Sequence, residues 1–178
     1  FVDLFFVISG FVIAYVYHGR VGTLAGYGNF MQRRVGRLVP LHLLTLAASI
    51  IVLGAVVALG RTPNHIPSFE PGCIARTAIF LHAIVSCGNG IYFNGVSWSI
   101  GAEMVMYLLF PLFALVGHRT KRGLLVATAA MLLAAVTVHR LQGTAWEHLW
   151  PPFRALPSFL IGVSLFYWRD ALRLVPKV

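Results

Sequence analysis

A chain of 178 residues that is 58% hydrophobic and 11% charged is no ordinary water-soluble domain, in which about a quarter of the residues carry charge. Fourteen Lys and Arg against five Asp and Glu give a net charge of +9. The basic residues sit in short clusters between long apolar runs, the pattern of a polytopic membrane protein rather than of a nucleic-acid binder. Cys73 and Cys87 match no zinc or redox spacing and read as small apolar residues. No cleavable signal peptide is visible ahead of the first apolar run, and a chain opening on Phe1 reads as a portion of something longer.

A bilayer core asks for about 20 mainly apolar residues per helix, and five runs are of that kind. They are Phe1 to Tyr17, Leu38 to Gly60, Val96 to Val116, Leu124 to Val138 and Phe153 to Trp168. The second, 23 residues with no formal charge, is the clearest span. A sixth stretch, Cys73 to Phe93, is apolar only from Ile74 to Cys87 and ends in the turn-forming Gly88-Asn89-Gly90. It reads as a short re-entrant or tilted helix. With five crossings, Arg20, Arg33, Arg34, Arg37, Arg119, Lys121, Arg122, Arg169, Arg173 and Lys177 share one side, against Arg61, Arg76, Arg140 and Arg154 on the other, ten against four. Cytoplasmic loops are rich in Lys and Arg, so the Arg33 to Arg37 side is expected to be cytoplasmic. The fold class is all-α, a polytopic transmembrane helical bundle in one domain over residues 1–178, with about five spans and one short extra helix.

An ionisable group inside a membrane helix costs about 2.5–3.5 kcal/mol at its centre on insertion scales and normally faces a cavity or a partner. Glu103 is such a group. On a helix Ser99, Glu103 and Tyr107 fall at i, i+4 and i+8, a polar row that lines either a reaction cavity or a packing seam. Asp3 is either one end of an interfacial salt bridge or part of a site. Ser9, Gly10 and Ala14 beside it read as a small-residue packing face. In Arg33-Arg34-Val35-Gly36-Arg37 a helix would present three guanidinium groups together. They either anchor the helix at the membrane boundary or bind phosphate, as in an acyl-CoA. His42 and His82 lie within apolar runs, and a His bonded to a neighbouring helix is the commoner case for each. No His pair has metal-ligand spacing with a nearby acid, and neither a Gly-x-Ser-x-Gly elbow nor a phosphate-binding Gly loop occurs.

Four segments in order carry a resemblance. They are Val2-Asp3-Leu4-Phe5-Phe6-Val7-Ile8-Ser9-Gly10-Phe11-Val12-Ile13, Arg33-Arg34-x-x-Arg37-x-x-Pro40, Asn94-Gly95-x-Ser97-Trp98-Ser99-Ile100-x-x-Glu103-x-x-x-Tyr107-x-x-x-Pro111, and Phe153-Arg154-Ala155-Leu156-Pro157-Ser158-Phe159-Leu160-Ile161-Gly162. Together they resemble the acyltransferase 3 family of integral-membrane acyltransferases. The resemblance implies a multi-pass enzyme of the cytoplasmic (inner) membrane. Such an enzyme moves an acyl group, acetyl foremost, from a cytoplasmic acyl-CoA co-substrate to a hydroxyl of a cell-surface or exported glycan, with no permanently bound cofactor. On the matching positions it implies that Arg34 and Arg37, with Arg33 beside them, engage the donor. It further implies that Trp98, Ser99, Glu103 and Asp3 belong to the site; Ile100 stands where the family pattern has Leu. The family's favoured general base, a His on a helix preceding the Val-Asp segment, has no counterpart here, and His42 and His82 do not match it. The resemblance therefore implies an incomplete copy that is inactive alone. A transporter or flippase whose passage is lined by the Glu103 row, and a non-catalytic scaffold of the same fold, are the rival readings.

Overall fold

A computed structural model describes residues 1–61, 67–85, 93, 95, 97–142 and 150–172. Six α-helices follow in chain order: α1 (Val2–Tyr17), α2 (Leu24–Ala58), α3 (Pro71–Ala78), α4 (Ser97–Arg119), α5 (Lys121–Gln142) and α6 (Pro151–Leu172). A single 3-10 turn, Leu81–Ala83, follows α3, and no strand occurs among the described residues. The turn expected at Gly88-Asn89-Gly90, together with Cys87, Arg173 and Lys177, lies outside the described residues.

Local chemistry sets the helix starts. The Thr23 side chain accepts from Gly26 N at 3.1 Å and caps α2, and Thr120 accepts from Gly123 N at 3.0 Å where α4 turns into α5. Pro71 occupies the first turn of α3, where its missing N–H costs nothing. α2 begins well before the expected apolar run, because the basic segment through Arg37 continues the same helix into Leu38 and beyond. Its 35 residues span roughly 50 Å at 1.5 Å per residue.

Contacts between helices fix their directions. Along α1 and α6, Asp3 meets Arg154, Gly10 meets Phe159, and His18 meets Phe166, so the two run parallel. α4 runs the same way, with Trp98 beside Arg154 and His118 beside Tyr167. α5 runs against α6, where Thr128 bonds Ser164 at 2.9 Å and the Trp168 indole reaches Lys121 O at 3.4 Å. α2 runs against α4, with Phe30 on Phe110 and, past mid-helix, His42 on α3. Five helices thus pass alternately between the two ends of the bundle. Arg20, Arg119, Lys121, Arg122 and Arg169 gather at one end, as charge counting expects. α3 and the 3-10 turn stay in the opposite half: His42 Nε2 donates to Thr77 O at 2.7 Å, and the Trp150 indole N–H donates to Ile84 O at 2.9 Å.

Three described helices, α2, α4 and α5, are long and apolar enough to cross a membrane, and α1 is apolar but 16 residues long. α6 has the length, with lower hydropathy, because it is the central helix and turns Ser158, Gly162 and Ser164 into its neighbours. A Cβ on Gly162 would stand 2.0 Å from Val7 O, and one on Gly10 would stand 2.2 Å from Phe159 O. Two backbones in contact of this kind are how small residues join helices in lipid. The outer faces carry exposed Leu44, Ile51 and Val52 on α2 and Val126 and Leu133 on α5, an apolar coat suited to acyl chains and far beyond what water tolerates.

Candidate active site

α1, α2 and α4 line a half-open cavity of about 440 Å³, within the ~300–1,000 Å³ range of small-molecule sites. Ser9, Arg34, Arg37, Glu103 and Tyr107 supply its polar lining, with Phe5, Ile8, Leu38 and Leu41 among its apolar walls. Glu103 is buried. Ser9 Oγ donates to its Oε1 at 2.8 Å, and the Tyr107 hydroxyl donates to the same oxygen. The Tyr107 bond follows from i, i+4 spacing on α4. The Ser9 bond spans 94 positions in sequence and depends on how α1 seats against α4.

Arg34 lies half-buried at the side of this cavity nearer the basic end. Its guanidinium carbon is 5.2 Å from the Tyr17 ring centroid, 5.8 Å from Phe30 and 5.5 Å from Tyr107. Each such contact is worth about 0.5–2 kcal/mol depending on desolvation. Its Nε is buried without a hydrogen-bond partner. Arg37, one turn on, lines the same cavity and is exposed. Arg33 is exposed and does not line it, because a one-residue step on a helix turns a side chain by about 100°. The structure brings two of the three arginines to the cavity.

Asp3 and Trp98 lie elsewhere. Arg154 Nη2 and Nε donate to the two carboxylate oxygens of Asp3 at 3.2 and 3.3 Å, and the same guanidinium sits 4.9 Å over the Trp98 ring. This cluster is at the end of the bundle where α1, α4 and α6 begin, away from the basic end. Ser99 is buried and does not line the cavity. Of the expected polar row, Glu103 and Tyr107 face it. The packing expectation for Ser9 gives way to a bond with an acid on another helix, which helical spacing does not foretell and to which only its place in the Val-Asp-x-Phe-Phe-x-x-Ser-Gly segment points. Arg154 was open to inference, because an acid and an arginine each isolated in an apolar run want one another.

His42 and His82 form a separate buried pair, rings 5.9 Å apart and nearly parallel at 7°, with Phe80 stacked on His42. His42 joins α2 to α3 through Thr77 O, as expected of a His bonded to a neighbouring helix. Burial, with His42 alongside, pushes the His82 imidazole down to about 4. No His lines the Glu103 cavity, and no cluster of three or more His, Cys, Asp or Glu able to hold a metal occurs among the described residues.

A bundle of apolar helices with an acid, two hydroxyls and two guanidinium groups lining one pocket defines an integral-membrane protein with a polar site among its helices. The family model described as acyltransferase domain matches residues 1–178, and the chain belongs to that family of membrane acyltransferases. It is 28% identical over 144 residues to "Protein 2 in picA locus" of Rhizobium radiobacter, covering 74% of each chain. It is 27% identical over 182 aligned positions to "Acyltransferase MdmB" of Streptomyces mycarofaciens, covering 92% of this chain and 45% of that one. The chain thus spans less than half the length of the second relative. No solved structure matches it.

Proposed function

We propose that this chain acts in a membrane O-acyltransferase and that the cavity among α1, α2 and α4 is where the acyl-CoA reacts. The observation that carries the reading is the meeting, in one cavity, of a buried carboxylate held by two hydroxyls and an arginine with an unpartnered N–H. Arg34 and Arg37 hold phosphate groups of the donor from the basic, cytoplasmic end, through bidentate guanidinium contacts. The thioester end extends toward Glu103. An acceptor hydroxyl attacks the thioester carbonyl carbon, the C–O bond forms as the C–S bond breaks, and the proton lost by the hydroxyl ends on the leaving thiol.

Glu103 orients the reacting groups and passes protons through Ser9 and Tyr107. No permanent cofactor is needed for that sequence. The acyl group is acetyl or another short acyl, and the acceptor is a hydroxyl of a cell-surface or exported glycan presented from the side of Asp3, Trp98 and Arg154. The host bilayer is the cytoplasmic membrane.

The test is transfer of radiolabelled acetyl from acetyl-CoA to membrane glycans by cells expressing the full-length protein. Glu103→Gln and Arg34→Ala are each expected to lower transfer about 100-fold or more, with Arg34→Ala acting mainly through KM for the donor. Wild-type transfer by both variants would refute the assignment, and transport of a solute with no turnover of acyl-CoA would favour a passage instead.

A further inference from the structure

Among the described residues, no ion pair joins Arg34 to Glu103, although both line one cavity of about 440 Å³. That separation calls for a physical cause. In a desolvated setting opposite charges attract over many ångströms, arginine has a long flexible stem, and the Arg34 Nε is left without a partner. Collapse onto the carboxylate would satisfy both groups at once.

The geometry points to Tyr107 as the spacer. Its hydroxyl is already spent on Glu103 Oε1, and its ring forms one wall of the pocket that holds the Arg34 guanidinium, centroid 5.5 Å away. Phe30 braces that wall, with its ring 5.7 Å from Tyr107 at 73° and 4.9 Å from Tyr17 at 66°. Phe30 and Tyr107 are both buried, so the walls cannot swing away into lipid. Arg34 and Phe30 sit at i and i−4 on α2, while Tyr17 comes from α1 and Tyr107 from α4. Three helices therefore fix one cation against aromatic faces, which attract it without neutralising it.

We infer that Tyr107, with Phe30 and Tyr17, is a positioning residue that holds Arg34 off Glu103, so that the cation stays open to an anionic ligand and the acid stays available beside it. This deepens the donor-site reading and, in its ligand-binding arm, rests on it. The inference requires that removing the ring lets the two charges pair, at the expense of ligand.

Two measurements on the full-length protein in lipid nanodiscs test it. The first is a thermal double-mutant cycle between Arg34→Gln and Glu103→Gln. In the wild-type background the two changes in Tm are expected to add. In Tyr107→Leu they are expected to miss additivity by roughly 2 °C or more, because a new ion pair is lost only once. Phe30→Leu removes a different wall and is expected to produce the same coupling should Tyr107→Leu not fold; Tyr107→Phe keeps the ring and is expected to stay additive. Additivity in every background would overturn the inference.

The second is equilibrium binding of radiolabelled coenzyme A. Tyr107→Leu is expected to weaken it about tenfold or more, and adding Glu103→Gln, which removes the competing charge, is expected to restore it. Equal binding by wild type and Tyr107→Leu, or no recovery in the double variant, would overturn the spacer role. No binding by wild type would instead refute the donor reading, and the thermal cycle would still decide the spacer.

Discussion

Asp3 with Arg154 and Glu103 with Arg34 are both couples of one acid and one arginine in the same bundle, and both arginines lie over aromatic rings. In the first, the guanidinium donates to both carboxylate oxygens and the charges cancel. In the second, the acid is satisfied by hydroxyls and the arginine by ring faces, so neither charge is spent on the other. A closed pair ties α1 to α6 and has little left for a ligand. An open pair leaves both groups available to a ligand, and ionisable groups inside membrane helices mark places where binding or chemistry happens.

The comparison breaks most completely if α1 is lifted off α6, since α1 supplies Asp3 to one couple and Ser9 to the other. Gly162→Val places a side chain where even a Cβ would stand 2.0 Å from Val7 O. It is expected to cost about 3 kcal/mol or more, roughly 6–12 °C in Tm, read by thermal unfolding in detergent; an unchanged Tm would mean that the helices are not in backbone contact.

A smaller change sharpens the contrast. Arg154→Ala leaves Asp3 without its partner and removes the cation from Trp98. Asp3 keeps over a third of its side chain exposed, so the expected loss is limited to about 1–2 kcal/mol, roughly 2–8 °C in Tm. Reversing both charges, Asp3→Arg with Arg154→Asp, is expected to recover part of it, and no recovery would deny the pair.

The smallest effect concerns the His42 and His82 seam that braces the start of α4. His82 is held near 4 when folded and returns to about 6.5 when unfolded. The unfolded chain therefore binds the extra proton between those values, and stability falls as pH drops from 6.5 toward 4. His82→Gln is expected to flatten the Tm profile across that window by about 2 °C or more relative to wild type; parallel profiles would show that His82 does not titrate there.

Much of this was legible from residue order. Apolar runs and basic clusters sufficed for the helices, their alternation and the gathered basic end, because lipid enforces both length and charge asymmetry. Glu103 with Tyr107 could be read from helical spacing alone. Ser9 on Glu103 could not, since that bond links helices 94 positions apart and periodicity is silent about which helix faces which. The split between Arg33 and Arg34 needed the rotational phase of α2, and that phase was hidden while the helix was expected to begin near Leu38 rather than at Leu24.

The parallel docking of α1 on α6 also bears on how the protein is made. Asp3 and Arg154 are 151 positions apart, and synthesis runs from the N-terminus at about 5–20 residues per second, so roughly 8–30 s separate the emergence of the two. Through that interval α1 waits in the bilayer with Gly10 and Asp3 uncovered. Arrival of α6 therefore fixes where α1, and Ser9 with it, is seated, and the cavity takes its final form only once α6 has been inserted.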